Sequence, residues 1–248
     1  MLKLRLGLLT AALLLPMASM GATSGFALES ANNDVSNTAS LQRGAAYYVN
    51  YCLGCHSAQY VRYNRLAQDL GLSEDQVVNN LMVTGERPFD TMNTAMPQRD
   101  SESWFGQPPP DLSLIARARS TDYLYTFLRS FYVDEGSPLG TNNMALSNPA
   151  MPNVLWELQG LQSAVYREEE RADGTVREVF DGFEIVQPGR LSPDEFDRVA
   201  RDIVNFLDYI GEPVQLQRQS LGLRVIGFLL IFLLFAWLLK REIWKDVK

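Results

Sequence analysis

The chain has 248 residues, a formal net charge of −7, two cysteines and a single histidine. Every lysine lies in a terminal segment, and residues 28–220 hold 15 arginines against 27 aspartates and glutamates, a net charge of −12. So acidic a body disfavours nucleic acid as a partner, and three Cys and His side chains are too few for a four-ligand structural zinc site. The acidic surface fits either solubility or the attraction of a basic soluble partner.

Residues 1–27 have the order of a secretory signal peptide. Two basic residues precede the apolar run of residues 6–17, and small residues follow. Ala27 ends the preferred cleavage sequence, and Ala22 ends a competing one. The apolar run is shorter than the roughly 20 residues that a membrane span needs. We therefore predict that residues 1–27 are removed and that the body is exported.

The sequence Cys52-Leu53-Gly54-Cys55-His56 contains both cysteines and the only histidine. C-x-x-C-H is the attachment sequence of c-type haem. Its two thiols bond to the haem vinyl groups, and the imidazole that follows reaches the iron from one side. The alternative is a redox-active C-x-x-C pair. We predict one covalent haem c, which leaves no thiol for a structural disulfide.

The remaining segments predict a mainly α-helical domain with long loops and one small β-hairpin. Helical patterns cover residues 41–50, 60–70, 73–82, 111–118, 121–132, 151–158 and 192–210, whereas residues 29–40, 84–110 and 134–150 read as loops. Residues 164–186 alternate and are interrupted at Asp173-Gly174, which is typical of a hairpin.

Three of these helices have recognisable starts. Ser73 followed by Gln76 forms a capping box. Ser192, with proline next and Glu195 three residues on, is the best helix start in the chain. Thr121 is a candidate N-cap for the helix that it opens.

The C-terminal segment predicts one transmembrane helix. Residues 221–239 are apolar except for Arg224, and at about 1.5 Å per residue they approach the thickness of a bilayer core. The tail, residues 240–248, contains four basic residues. The positive-inside rule therefore predicts a cytoplasmic tail, with residues 28–220 on the exported side.

The second axial ligand of a haem iron cannot be another histidine of this chain. It is then a methionine, as in electron-transfer haems, or an uncommon ligand, or the position is open, as in sensors and peroxidases. Met82 lies on a predicted helix and suits core packing. Met96 and Met151 both precede proline in predicted loops and are nearly equivalent candidates, with Met144 third.

Several runs of this sequence are similar to the cytochrome c1 family, the haem subunit of the bc1 complex. They are Arg43-Gly44 through the haem motif to Tyr63, Pro109 to Arg119 followed by Asp122-Tyr123, Ala150 to Leu155, and the acidic helix from Ser192 with its single C-terminal anchor. The resemblance implies a class I cytochrome c-like helical haem domain. The run that begins at Met151 resembles proteobacterial members most, which implies a bacterial inner membrane with the haem domain in the periplasm.

The resemblance also implies roles for individual residues. It assigns the axial position opposite His56 to Met151. It pairs Arg119 and Tyr123 with the haem propionates, and it packs Pro109 and Pro110 on the ring. Family members with extra structural cysteines have disulfides that this chain cannot form.

The function implied by the resemblance is electron transfer rather than catalysis by this chain alone. The chain would take one electron from the Rieske iron–sulfur subunit of ubiquinol–cytochrome c reductase and pass it to a soluble or membrane-bound cytochrome c, beside cytochrome b. The alternatives are another membrane-anchored electron-transfer c-type cytochrome, such as the haem subunit of a terminal oxidase, and a haem sensor or peroxidase with an open iron site.

Overall fold

A computed structural model describes residues 26–170 and 174–246. The signal-peptide prediction up to residue 25, Asp173 of the hairpin turn and the last two residues of the tail lie outside them. The helices are α1 Thr38–Tyr47, α2 Tyr63–Leu70, α3 Glu74–Asn80, α4 Gln98–Phe105, α5 Ile115–Arg119, α6 Thr121–Arg129, α7 Trp156–Gln159, α8 Pro193–Gly211 and α9 Gln215–Ile243. The prediction of a mainly helical fold is confirmed.

The strands within the described residues form three antiparallel pairs. They are β1 Ala58–Arg62 with β2 Thr91–Met92, β3 Phe131–Val133 with β4 Thr141–Asn143, and β5 Gly160–Glu170 with β6 Val176–Pro188. The third pair is the predicted hairpin, and it is longer at both ends than residues 164–186. Its base is tied to β3, since the Gln162 side chain donates to the carbonyl oxygens of Arg129 and Phe131, each at 2.8 Å.

The crossing of α1 and α8 is the centre of the domain. Gly44 lies against α8 so closely that a Cβ added there would meet the Asp202 carbonyl oxygen, and would lie 2.7 Å from Phe206 Cβ. The buried face of α8 includes Ile203 and Phe206. Two helices can approach this closely only where one of them lacks a side chain.

A polar network fixes the register of this crossing. Asp202 is buried and accepts hydrogen bonds from Arg43 Nε at 2.6 Å, from Arg43 Nη2 at 2.9 Å and from Ser40 Oγ at 2.6 Å. Asn205 Nδ2 donates to Ser40 Oγ at 3.0 Å. Since each buried polar group has a partner, sliding one helix along the other would leave several of them unpaired.

The capped helices begin where the sequence predicts. Capping boxes are present at Ser73 with Gln76 and at Ser192 with Glu195. The cap of α6 is Ser120 rather than Thr121, and the Ser120 hydroxyl accepts from the Tyr123 backbone N–H at 3.3 Å. That helix also ends earlier than predicted, because residues 131–133 form β3.

Two predicted loops are more ordered than expected. Within residues 84–110, α4 begins after Pro97 and ends at Gly106, which adopts φ 75°. Within residues 29–40, Ala31 is fully buried and its backbone N–H donates to Asp122 Oδ1 at 2.8 Å. Contacts distant in sequence therefore hold this segment against α6.

Residues 60–62 form part of β1 instead of the predicted helix. The backbone N–H groups of Gln59 and Tyr60 donate to the Asp111 carboxylate at 2.9 Å and to Ser113 Oγ at 3.1 Å. The Asp111 and Ser113 side chains therefore accept the backbone hydrogens of residues 59 and 60. The helix starts only at Tyr63.

Helix α9 has 29 residues, and among the described residues it is the one helix long and apolar enough to cross a membrane. Its length is about 43 Å at 1.5 Å per residue, so it begins several residues before the predicted span of residues 221–239. None of its residues is buried against the domain.

Candidate haem site

A cavity of about 420 Å³ lies next to the C-x-x-C-H sequence. Its walls come from the π-helical turn Tyr48–Cys52, the loop before α5, helices α5 and α6, the loop before α7, and the inner face of α8. The side chains that line it include Cys52, Cys55, His56, Phe105, Pro108, Pro109, Pro110, Ile115, Arg119, Tyr123, Phe127, Leu146, Met151, Ile203 and Leu207. It is therefore an apolar space with a few sulfur, nitrogen and charged groups.

The two cysteines reach the cavity from the turn that extends α1. Cys52 is buried, and Cys55 is partly buried. Burial raises the pKa of the Cys52 thiol to about 12, with a further contribution from Cys55, and burial also raises the pKa of Cys55. A redox-active C-x-x-C pair needs a lowered thiol pKa, so this environment argues against thioredoxin-like chemistry.

His56 is oriented by two backbone contacts. Its Nδ1 lies 2.8 Å from the carbonyl oxygen of Pro110, which can only accept, so Nδ1 carries the proton. Tyr48 donates its hydroxyl hydrogen to the His56 carbonyl oxygen at 2.7 Å. Burial lowers the pKa of the imidazole. The neutral ring thus keeps the lone pair of Nε2 for a metal, with the other nitrogen fixed by a backbone acceptor.

The structure separates the methionines that the sequence leaves nearly equivalent. Met151 lines the cavity together with both cysteines and His56. The Met144 sulfur accepts a hydrogen bond from the Tyr166 hydroxyl at 3.8 Å, and Met92 is fully buried in β2. Met82 packs against the core and Met96 lies before α4, and neither lines the cavity.

Arg119 and Tyr123 lie side by side at the cavity, with the guanidinium carbon 5.7 Å from the centre of the tyrosine ring. Arg117 points the other way, and its Nη1 donates to Glu212 at 2.6 Å. Between the two predicted propionate partners, Ser120 has φ 76° and ψ 155°, a region that is nearly exclusive to glycine.

Pro109 and Pro110 line the cavity, as their predicted packing role requires. No pattern in the sequence indicates that the Pro110 carbonyl also orients His56. The only available signal was general, since a ligating histidine needs a partner for its second nitrogen. Asp111 fixes this loop by accepting from the backbone N–H groups of Gln59 at 2.9 Å and Ser113 at 2.8 Å.

The residues at the cavity fit a covalently attached haem better than a bare metal ion. In the part of the chain that the structure describes, three or more His, Cys, Asp or Glu side chains do not come together to hold a metal. The cavity instead offers two thiols, one imidazole, one thioether and one guanidinium among apolar walls. The two thiols match the two vinyl groups of haem, and the imidazole and the thioether match the two axial positions of its iron. The guanidinium matches a propionate carboxylate, and the apolar walls match the flat ring.

Comparison with known proteins points to the same cofactor. The model of the Cytochrome C1 family matches residues 30–247. The chain is 48% identical to the cytochrome c1 of Allochromatium vinosum, over 98% of this chain and 99% of that protein. It is 41% identical to the ammonia monooxygenase gamma subunit of Nitrosomonas europaea, over 97% of each chain, and 28% identical to the cytochrome c1 of Rhodospirillum rubrum, over 84% and 82%.

Proposed function

Because the chain belongs to the cytochrome c1 family of electron-transferring c-type cytochromes, we propose that it accepts one electron from a Rieske iron–sulfur subunit and passes it to a cytochrome c. It does so as the haem-bearing subunit of a bc1 complex that also contains cytochrome b. Quinol oxidation takes place in the partner subunits, so this chain is not an enzyme by itself.

One observation supports this function most strongly. The two cysteine thiols and the His56 ring come from one short motif, the Met151 side chain comes from a loop far along the chain, and all of them line one apolar cavity. Cys52 and Cys55 would hold a single haem through thioether bonds, and His56 and Met151 would bind its iron. When bound, haem supplies the one-electron couple, and methionine ligation favours a high reduction potential.

The other cavity residues position the cofactor and exclude water. Arg119 and Tyr123 interact with the propionates, where a guanidinium lowers the cost of keeping a carboxylate away from bulk water. Pro109 and Pro110 pack against the ring, and the Pro110 carbonyl keeps the His56 ring in one orientation.

Helix α9 anchors the chain in a bacterial inner membrane. Its length and lack of burial in the domain support a single crossing. The predicted signal peptide supports a periplasmic haem domain, and the basic tail supports a cytoplasmic position for residues 240–248. The acidic surface of the domain suits a basic cytochrome c as electron acceptor.

Purification of the tagged full chain from its native membranes in mild detergent tests this assignment. We expect cytochrome b and a Rieske protein to co-purify, together with a c-type haem that is six-coordinate. Co-purification with ammonia monooxygenase or terminal oxidase subunits instead would contradict the assignment. So would a five-coordinate haem that binds carbon monoxide without displacing a ligand.

A further inference from the structure

The junction between α8 and α9 is a short link that carries one bridging carboxylate. Glu212 follows the last residue of α8, and α9 begins at Gln215. Its Oε2 accepts hydrogen bonds from Arg117 Nη1 at 2.6 Å and from Arg218 Nη2 at 3.1 Å. Its Oε1 accepts from Arg218 Nε.

These contacts join α5, the link after α8 and the start of α9. They restrain the angle between α8 and α9 at this link. Arg117 belongs to α5, and the other arginine of that helix, Arg119, lines the cavity. Arg218 lies in the first turns of α9. Packing reinforces the joint, because a Cβ added at Gly211 would lie 3.4 Å from Arg117 Cγ.

The carboxylate is the shielded member of this group. The Glu212 side chain is 17% exposed, whereas those of Arg117 and Arg218 are 56% and 60% exposed. Hydrogen bonding from Arg218 lowers the pKa of Glu212, with a smaller contribution from Arg117, so the carboxylate stays ionised near neutral pH. A single exposed ion pair contributes little to stability. The planar guanidinium of Arg218, however, binds both oxygens of Glu212 and so also restricts the relative orientation of the two side chains.

We propose that Glu212 is a positioning residue that fixes the orientation of the haem cavity relative to the membrane helix. This proposal rests on two parts of the proposed function, namely that a haem fills the cavity and that α9 crosses the membrane. Without the clamp formed by Glu212, Arg117 and Arg218, the domain would pivot on residues 212–214. The haem would then no longer keep one distance from redox partners held in the same membrane.

The test measures the angle of this joint through a distance distribution. One nitroxide label is attached at Asp75→Cys on α3 and another at Leu230→Cys on α9, in the full chain in lipid nanodiscs with the haem reduced. Pulsed electron paramagnetic resonance then gives the distribution of distances between the two labels. We expect one narrow distribution in the otherwise unmodified chain, and a distribution at least twice as broad after Glu212→Gln.

The matched control is Glu157→Gln, which breaks an exposed ion pair of Glu157 with Arg190, 3.0 Å apart, away from the junction. It should leave the distribution narrow. If Glu212→Gln does not fold, the double variant Arg117→Gln with Arg218→Gln removes the clamp through exposed side chains and should broaden the distribution in the same way. An unchanged distribution in these clamp variants, or a broad one in the otherwise unmodified chain, overturns the proposal.

Label stoichiometry separates this outcome from failure of the proposed function. Two labels per chain mean that Cys52 and Cys55 are consumed by haem, whereas four mean that both native thiols are free. In the second case the covalent-haem assignment fails. The width of the distribution between the two introduced sites, measured after replacing the native cysteines with serine, still decides whether Glu212 restrains the joint.

Discussion

At the scale of single residues, the His56 ring and its backbone are fixed by the protein itself. The Pro110 carbonyl holds Nδ1, and the Tyr48 hydroxyl holds the His56 carbonyl. Outer contacts of this kind orient a metal ligand and select its tautomer. Met151, by contrast, is partly exposed in a loop, so its proposed role as a ligand depends on how the Pro-flanked loop packs over the cavity.

Replacing Met151 by leucine tests the axial assignment. Leucine keeps a similar volume but has no sulfur to bind iron. We expect Met151→Leu to lose the methionine–iron charge-transfer band and the high reduction potential, measured by near-infrared absorbance and redox titration. Met96→Leu is the matched control and should change neither. The reverse pattern would identify Met96 as the ligand.

Replacing Arg119 by alanine tests the charge at the cavity. Loss of a positive charge beside the propionates favours the oxidised, more positive haem, so the potential should fall by roughly 60 mV, the one-electron equivalent of about 1.4 kcal/mol. Arg117→Ala serves as control, because Arg117 points away from the cavity towards Glu212. Identical redox titrations for both variants would count against a propionate contact of Arg119.

Ser120 holds an unfavourable backbone conformation between Arg119 and Tyr123, with φ 76° and ψ 155°. Such a conformation costs about 1–3 kcal/mol in a residue with a side chain, while glycine at an N-cap loses only a few tenths of a kcal/mol. Ser120→Gly should therefore raise the free energy of unfolding by about 1 kcal/mol in denaturant titrations. Ser120→Ala keeps the strain and loses the cap, so it should lower stability. Equal effects of both substitutions would show that the backbone is not strained there.

At the scale of elements, the crossing of α1 and α8 holds the domain together and presents the haem motif. Helix α1 continues into the π-helical turn that ends at Cys52. The crossing therefore determines where the first cysteine meets the cavity. The inner face of α8 supplies Ile203 and Leu207 to the cavity wall.

Gly44→Ala tests the closeness of this crossing. The new methyl group would collide with the Asp202 carbonyl oxygen and Phe206 Cβ, and overpacking of this kind typically costs about 1–3 kcal/mol, occasionally more. We expect a loss of at least that size in thermal or denaturant unfolding. Gly182→Ala is the control, because nothing lies within 4 Å of a Cβ added there. A Gly44→Ala variant as stable as this control would mean that the helices are farther apart.

Helix starts could be predicted from the sequence because their determinants are local. Ser73 is followed three positions later by Gln76, and Ser192 by Glu195, and each pair completes a capping box. Local patterns failed where distant contacts decide. The helix after Pro97 lies in a stretch rich in proline and glycine. Residues 60–62 belong to a strand, at whose start the Asp111 and Ser113 side chains accept the backbone hydrogens of Gln59 and Tyr60.

In the candidate site too, local sequence patterns predicted some residues, whereas others depend on contacts between distant segments. The C-x-x-C-H sequence identifies both cysteines and His56 without any structure, because the spacing itself serves the chemistry. Met96 and Met151 have the same local context, so local patterns alone do not distinguish them. The family resemblance favours Met151, and the three-dimensional packing brings Met151 to the cavity. The carbonyl of Pro110 has no side-chain signal at all, because every residue has a backbone carbonyl.

At the scale of the whole molecule, charge and anchoring act together. Residues 28–220 carry a net charge of −12, and α9 keeps the domain at a membrane surface. A soluble basic partner would be attracted over distances comparable to the Debye length, about 10 Å at 0.1 M salt. Under the proposed function, the chain would therefore recruit a mobile acceptor while it stays fixed beside its membrane partners.

Electron transfer to a basic cytochrome c should consequently slow as salt is added. Between about 0.05 and 0.5 M ionic strength we expect the bimolecular rate constant in stopped-flow measurements to fall at least tenfold, because screening removes electrostatic steering. An acidic cytochrome c is the matched control and should not slow. A rate for the basic partner that is independent of salt would mean that the acidic surface serves solubility alone.

The central claim is that this chain receives its electron from a Rieske subunit, and the most direct measurement is the rate of haem reduction after quinol is added to native membranes. The absorbance of the c-type haem is followed with the iron–sulfur subunit present and after its removal. We expect rapid reduction with the subunit, and loss of reduction without it that is restored when the subunit is added back. Equally fast reduction in both membranes would contradict the claim, because the electron would then arrive by another route.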